Sequence, residues 1–200
     1  NGKTTTTRLV KHILTLSGLT VGMTSASGIY IGNECILEGD NTGPVSARMV
    51  LGDKRVEAAA LETARGGIVR KGLGYDLADV GVVTNISEDH LGLEGIHTLE
   101  DMAFVKSLVS EAVKPHGYAV LNADDRMINY LLGRVQSHVM LFSMQPENLL
   151  VVSHLKAGGK AAYIKDNTLL IQEGEDKLIR VIPVDEIPIT FHGALQCNLE

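Results

Sequence analysis

The chain has no tryptophan, only three phenylalanines and five tyrosines in 200 residues. So few aromatic rings leave no stacking platform of the kind that holds single-stranded nucleic acid. Positive charge is also short: 18 Lys and Arg stand against 24 Asp and Glu, a net charge of −6. An acidic chain lacks the electrostatic footprint of a DNA- or RNA-binding domain. If it binds anions, it does so with local backbone geometry and a few placed cations. Apolar runs fall far short of the ~20 residues that cross a bilayer, so no membrane span is expected. The two cysteines, Cys35 and Cys197, lie far apart in dissimilar contexts and form no CxxC pair or Cys/His cluster. That usage points to a reduced, cytoplasmic setting. No targeting leader is visible, and the chain opens inside a motif, which points to a piece of a longer protein.

Glycine, by contrast, is plentiful at 21 residues. Leu9, Val10, Ile13, Leu14 and Leu16 predict a helix over residues 7–17, ended by Gly18. A short strand follows over 19–23. Gly32-Asn33 joins residues 28–31 and 34–37 as a hairpin. Pro44 opens a helix running to about Val50, and 56–61 reads as a buried strand. Gly66-Gly67 leads into a short helix. Beyond it, strands are predicted at 79–84, 118–121 and 139–142, with helices at 98–113 and 127–132. The alternation predicts an α/β fold of the P-loop type, a mostly parallel sheet with helices on both faces. After residue 145 the pattern changes. Short strands at 149–153, 161–165, 168–172 and 177–182 predict a small antiparallel meander. The expected organisation is a core over 1–145 and a β subdomain over 146–200.

Asn1-Gly2-Lys3-Thr4-Thr5 runs directly into the first helix and matches the back half of a P-loop. Glycine lets backbone N–H groups turn towards a phosphate, and the helix N-terminus adds partial positive charge. Lys3 would reach the terminal phosphates, and the Thr4 hydroxyl would ligate Mg²⁺. On these residues alone, a capped helix start with an exposed lysine fits equally well. In open α/β sheets ligands sit at the carboxyl ends of strands. Three strand ends here carry reactive side chains: Glu62 to Gly67, Asn85 to His90, and Asn122-Ala123-Asp124-Asp125. A carboxylate in such a crevice can complete Mg²⁺ coordination. Taken one at a time, each of these segments also reads as a turn or cap, with Glu62 as a cap or a partner of Arg65. Lys106 falls among apolar residues of the 98–113 helix, an inward position that needs a partner or a snorkelling side chain.

Together these segments resemble the central ATP-binding domain of the Mur ligases. The matching pieces are N-G-K-T-T-T-T, G-D-N-T-G-P, L-E-T-A-R-G-G, T-N-I-S-E-D-H-L-G, Lys106 and L-N-A-D-D. Within that superfamily, E-T-A-R-G-G-I and T-G-P-V-S-A-R-M-V-L look most like the cyanophycin synthetases. Two positions depart from that branch: Asn41 stands where an aromatic is expected, and Ser25-Ala26-Ser27 lacks an acidic residue.

The resemblance implies an ATP-dependent ligase that joins a carboxylate to an amine through an acyl phosphate. It implies ATP and Mg²⁺ as cofactors. Lys3 would act on the terminal phosphates, with Asn1, Gly2, Thr4, Thr5, Asn85 and Asn198 around the nucleotide. Thr4 and Glu62 would hold one Mg²⁺. His90 would hold a second, with Lys106 in the place of the lysine that the family carbamylates. The expected partners are a peptide or amino-acid-polymer acceptor and a free amino acid, arginine favoured. In the cyanophycin branch the product is an aspartate polymer bearing arginine. Neither nucleic acid nor membrane is expected as a partner, while a homo-oligomer is compatible with the resemblance. Mur ligases carry a further domain that closes over the site, so these residues are expected not to turn over alone. The competing readings are a cell-wall Mur ligase or folyl-polyglutamate-type ligase, and a P-loop ATPase that ligates nothing.

Overall fold

The computed structural model describes residues 2–88 and 92–192, which form two compact units. The first takes residues up to Leu77 together with Gly92–His97, and the second takes the rest.

In the first unit, α1 (Lys3–Leu16) starts immediately after Gly2, whose φ of 78° is left-handed. Glycine adopts that angle without a Cβ penalty. Three strands follow: β1 (Val21–Ser25), β2 (Gly28–Ile31) and β3 (Glu34–Glu38). Two-residue connections, Ala26-Ser27 and Gly32-Asn33, make these neighbours antiparallel, since a parallel return needs a long crossover. Helix α2 (Pro44–Gly52) supplies that crossover, and β4 (Ala58–Leu61) lies parallel to β1. The sheet order is β3-β2-β1-β4. Helix α3 (Arg65–Lys71) follows.

Strand alternation divides the core of this unit in two. Val21, Met23 and Ala60 pack against Leu14 of α1. Ile29 and Ile31 pack against Val50 of α2 on the other face. Gly22 faces α2, and a Cβ there would meet Val50 Cγ1 at 2.3 Å. Helices therefore cover both faces of this sheet.

The second unit is a six-stranded sheet in the order β10-β9-β8-β7-β6-β5. Its elements are β5 (Ala78–Val83), α4 (Leu99–Glu111), β6 (Val113–Asn122), α5 (Ile128–Leu132), β7 (His138–Ser143), α6 (Leu149–Lys156), β8 (Lys160–Lys165), β9 (Thr168–Glu173) and β10 (Lys177–Pro183). The run from β5 to β8 is parallel, while β8, β9 and β10 are antiparallel. Thr98 and Asp101 close a reciprocal capping box at the start of α4. Arg134 anchors α5 to α4 by bonding Glu111 at 2.6 Å while its guanidinium lies over the Phe104 ring.

One predicted element changes type. Residues 149–153, expected as a strand, are the first part of helix α6. Their apolar run is ambiguous in period, and the deciding residue precedes it. The Asn148 carboxamide oxygen accepts from the N–H groups of Leu150 and Val151, which caps the helix, and Val151 and Leu155 then bury one face at a spacing of four. The strand–helix alternation thus continues through β8, and the antiparallel meander is β8-β9-β10.

Gly81 in β5 lies so close to α4 that a Cβ would meet the Val109 carbonyl oxygen at 2.3 Å. Gly81→Ala is expected to destabilise the fold by about 1–3 kcal/mol in urea denaturation, as overpacking does. In the first unit, hydrogen bonds from the Arg55 side chain and backbone hold the Asp53 carboxyl at about 2, below its usual 3.8. Its stabilising contribution is present above the unfolded-state value and fades as pH falls through about 2. An NMR titration should place the Asp53 midpoint there, and Arg55→Gln should return it towards about 4.

Candidate functional site

In the first unit the polar groups gather where α1 begins. Gly2 and Lys3 are exposed, and among the described residues no side chain caps the helix start. Its first N–H groups and the Lys3 ammonium are therefore available to an anion. Glu62 follows β4 directly and is 6% exposed. Its Oε1 accepts from Thr4 Oγ1 at 3.0 Å, and its Oε2 accepts from the Ala26 N–H at 3.2 Å. One carboxylate thus gathers the first turn of α1, the end of β4 and the β1–β2 turn.

The Glu62 donors are both neutral, and among the described residues Glu62 makes no ion pair. A buried carboxylate served only by a hydroxyl and an amide still favours a cation. Hard oxygen ligands in small number, leaving room for phosphate oxygens and water, are what Mg²⁺ takes. Thr4 and Glu62 fit that ion by chemistry and by proximity. Among the described residues no cluster of three His, Cys, Asp or Glu could hold a metal by itself, so the fit is of the shared kind.

Glu62 is neither a helix cap nor the partner of Arg65. Arg65 instead donates to the Leu93 carbonyl at 3.1 Å and pairs with Glu94, holding residues 92–97 in this unit. Other contacts here gave no sequence signal. Arg8 donates to Ser27 Oγ, which lies 2.9 Å from Ser25 Oγ. Asn41 is buried, donating to the Gly39 carbonyl and accepting from Ser46. That explains a polar residue where an aromatic was expected: it staples its own loop.

In the second unit the strand ends also converge. A crevice of about 470 Å³ opens beyond β5, β6 and β7, and Asn85, Asn122, Asp125, Met144 and Gln145 are among its walls. Lys106, half-buried on α4, donates from Nζ to the Asn85 carbonyl at 2.9 Å. The inward lysine expected from the sequence is thus given an acceptor. A carbamate at Nζ keeps one N–H and remains compatible with that bond.

Asp124 and Asp125, read as candidate metal carboxylates or as turn residues, spend their oxygens on donors of the protein itself. Asp124 accepts from Ser143, Met144 and Asn148, and Asp125 accepts from the N–H groups of Met127 and Ile86. All four oxygens are engaged. Thr5 is exposed on the first turn of α1. Asn1, Asp89, His90 and Asn198 lie outside the described residues.

The family model described as the Mur ligase middle domain matches residues 1–186. The chain is similar to a cyanophycin synthetase from Synechocystis sp., at 51% identity over 193 residues, 96% of this chain and 22% of that protein. Among solved structures, a UDP-N-acetylmuramoyl-L-alanyl-D-glutamate–2,6-diaminopimelate ligase superposes with a TM-score of 0.68 at 20% identity, covering 91% of this chain and 37% of that one. The MurF ligase from Thermotoga maritima in complex with ADP superposes at 0.52 and 22% identity, covering 90% and 38%. At these identities the structural likeness is one of fold. Among the described residues no helix is long and apolar enough to cross a membrane.

The Thr4–Glu62 bond can be tested without any ligand. Thr4→Val keeps the shape but removes the hydroxyl, leaving a buried carboxylate oxygen without its donor. Stability is expected to fall by about 1–3 kcal/mol in a denaturant melt, and Thr4→Ser should recover most of it.

Proposed function

The chain belongs to the Mur ligase middle-domain family, and from that premise we propose that it is the ATP-binding module of a carboxylate–amine ligase. The observation that carries this reading is the buried Glu62 carboxylate meeting the Thr4 hydroxyl at the open N-terminus of α1. An anion site and a hard-cation site there share one helix turn, which is the requirement for a Mg²⁺-bound nucleoside triphosphate.

The reaction has two steps. The acceptor carboxylate attacks the γ-phosphorus of ATP, forming an acyl phosphate and releasing ADP. The amine then attacks the acyl carbon and expels inorganic phosphate. The first step brings anions together, so alignment and charge neutralisation carry it. Lys3 and the N–H groups of α1 meet the charge of the transferred phosphoryl group. Gly2, Thr5, Asn1, Asn85 and Asn198 are assigned to the nucleotide. Bound Mg²⁺ supplies charge neutralisation at the phosphate oxygens. Thr4 and Glu62 would hold one ion, and His90 with Lys106 as its carbamate would hold the second. The second step needs a deprotonated amine close to the acyl carbon.

The choice of substrates is supported by a relative of high identity. We assign arginine as the amine and an aspartate polymer as the acceptor, because the 51% identity to a cyanophycin synthetase extends over 96% of this chain. The reaction belongs in the cytoplasm, where ATP is supplied.

The test uses the full-length protein with Mg-ATP, an aspartate polymer primer, and arginine present or absent. Phosphate release should require both substrates and fall about 100-fold or more in Lys3→Ala. Release triggered by a different amine would keep the ligation chemistry and remove the arginine assignment. Release indifferent to every amine would mean a plain ATPase.

A further inference from the structure

The segment leaving β5 has an unusual support. Three consecutive residues each have a backbone polar group held by a side chain from another element. The Thr84 carbonyl accepts from Asn122 Nδ2 at 3.0 Å. The Asn85 carbonyl accepts from Lys106 Nζ at 2.9 Å. The Ile86 N–H donates to Asp125 Oδ2 at 2.6 Å, while the Ile86 side chain is 5% exposed.

Asn122 and Asp125 each work in two directions. The Asn122 carboxamide oxygen accepts from the Asp124 N–H, and Asp125 Oδ1 accepts from the Met127 N–H ahead of α5. One end of each side chain shapes its own turn, and the other end holds residues 84–86. Asp124, next in sequence, differs. Its oxygens go to Ser143, Met144 and Asn148 around the β7–α6 connection, and it bonds nothing in 84–88.

We propose that Asp125 is a positioning residue, whose carboxylate fixes the height and direction of the 84–88 segment and so sets where Asn85 meets Lys106. The inference rests on the reading of Asn85 as a nucleotide contact and of Lys106 as a holder of the second Mg²⁺. An amide at 125 offers one acceptor and one donor, so it must face one of the two backbone N–H groups donor to donor. One of the two bonds is lost while the volume is kept. Asp124 provides an internal comparison: Asp124→Asn removes the same charge from the same turn without touching residues 84–86.

The experiment compares Asp125→Asn, Asp124→Asn and Lys3→Ala in the full-length protein. It reads thermal midpoint, amide hydrogen exchange of the peptide covering 84–88, and the Mg²⁺ concentration giving half-maximal rate at saturating ATP. Asp125→Asn is expected to speed exchange in 84–88 and to raise the Mg²⁺ requirement by about 10–100-fold, the usual effect of removing an outer support of a metal site. Asp124→Asn should lower the thermal midpoint while leaving exchange in 84–88 and the Mg²⁺ requirement unchanged. If the two Asp variants move all readouts together, Asp125 is a turn residue and the proposal falls. Should Asp125→Asn fail to fold, Asp125→Glu retains both oxygens at a longer reach. It is expected to fold with a raised Mg²⁺ requirement, and an unaltered requirement would overturn the proposal. Lys3→Ala separates the two levels. If it keeps full phosphate release, the nucleotide reading falls and the inference with it. If it loses release while the Asp variants behave alike, only the inference falls.

Discussion

Much of the first unit depends on one buried carboxylate. Glu62 stands directly after a short strand of small residues, and its two oxygens reach the first turn of α1 and the turn joining β1 to β2. Chain segments far apart in sequence meet there because an acceptor buried at 6% exposure must find donors. The donors it finds are neutral, so the local charge is left for a cation to balance. A fold contact and a candidate ligand site are therefore the same contact, and a change that weakens one weakens the other.

The second unit solves a related problem by another route. A loop leaving the carboxyl end of a parallel strand has backbone groups with no ladder partner. Here Asn122, Lys106 and Asp125 supply the partners for residues 84–86. Those three side chains come from the end of one strand, the middle of a helix and a turn. The loop is held by side chains rather than by secondary structure, which leaves its position sensitive to single substitutions. The close approach of α4 to β5 at Gly81 puts Lys106 on a helix that has little freedom to shift.

Several features were legible in the residues alone. Two-residue turns at Gly32-Asn33, the proline at the start of α2 and the apolar spacing of α4 each carry a local physical cause. Pattern failed where the cause lay outside the window. Residues 149–153 are apolar enough for a strand, and the cap that makes them helical is the single Asn148 side chain. The Asp124-Asp125 pair shows the same limit for a site. Two adjacent carboxylates suggest a metal, but their partners are backbone N–H groups and the Ser143 and Asn148 side chains, most of them brought close by folding. No spacing rule connects Arg8 to Ser27, or Arg65 to Glu94, across the distances in sequence that separate them.

The sequence by itself determined the α/β class and the family, because both depend on short-range chemistry written in consecutive residues. The tertiary structure decided which carboxylates keep few donors and which are spent on the surrounding protein. Glu62 faces a hydroxyl and an amide with charge to spare, whereas Asp124 and Asp125 are fully engaged. That division follows from burial, which forces every polar atom to find a partner, and the partner's identity is known only when distant segments have come together.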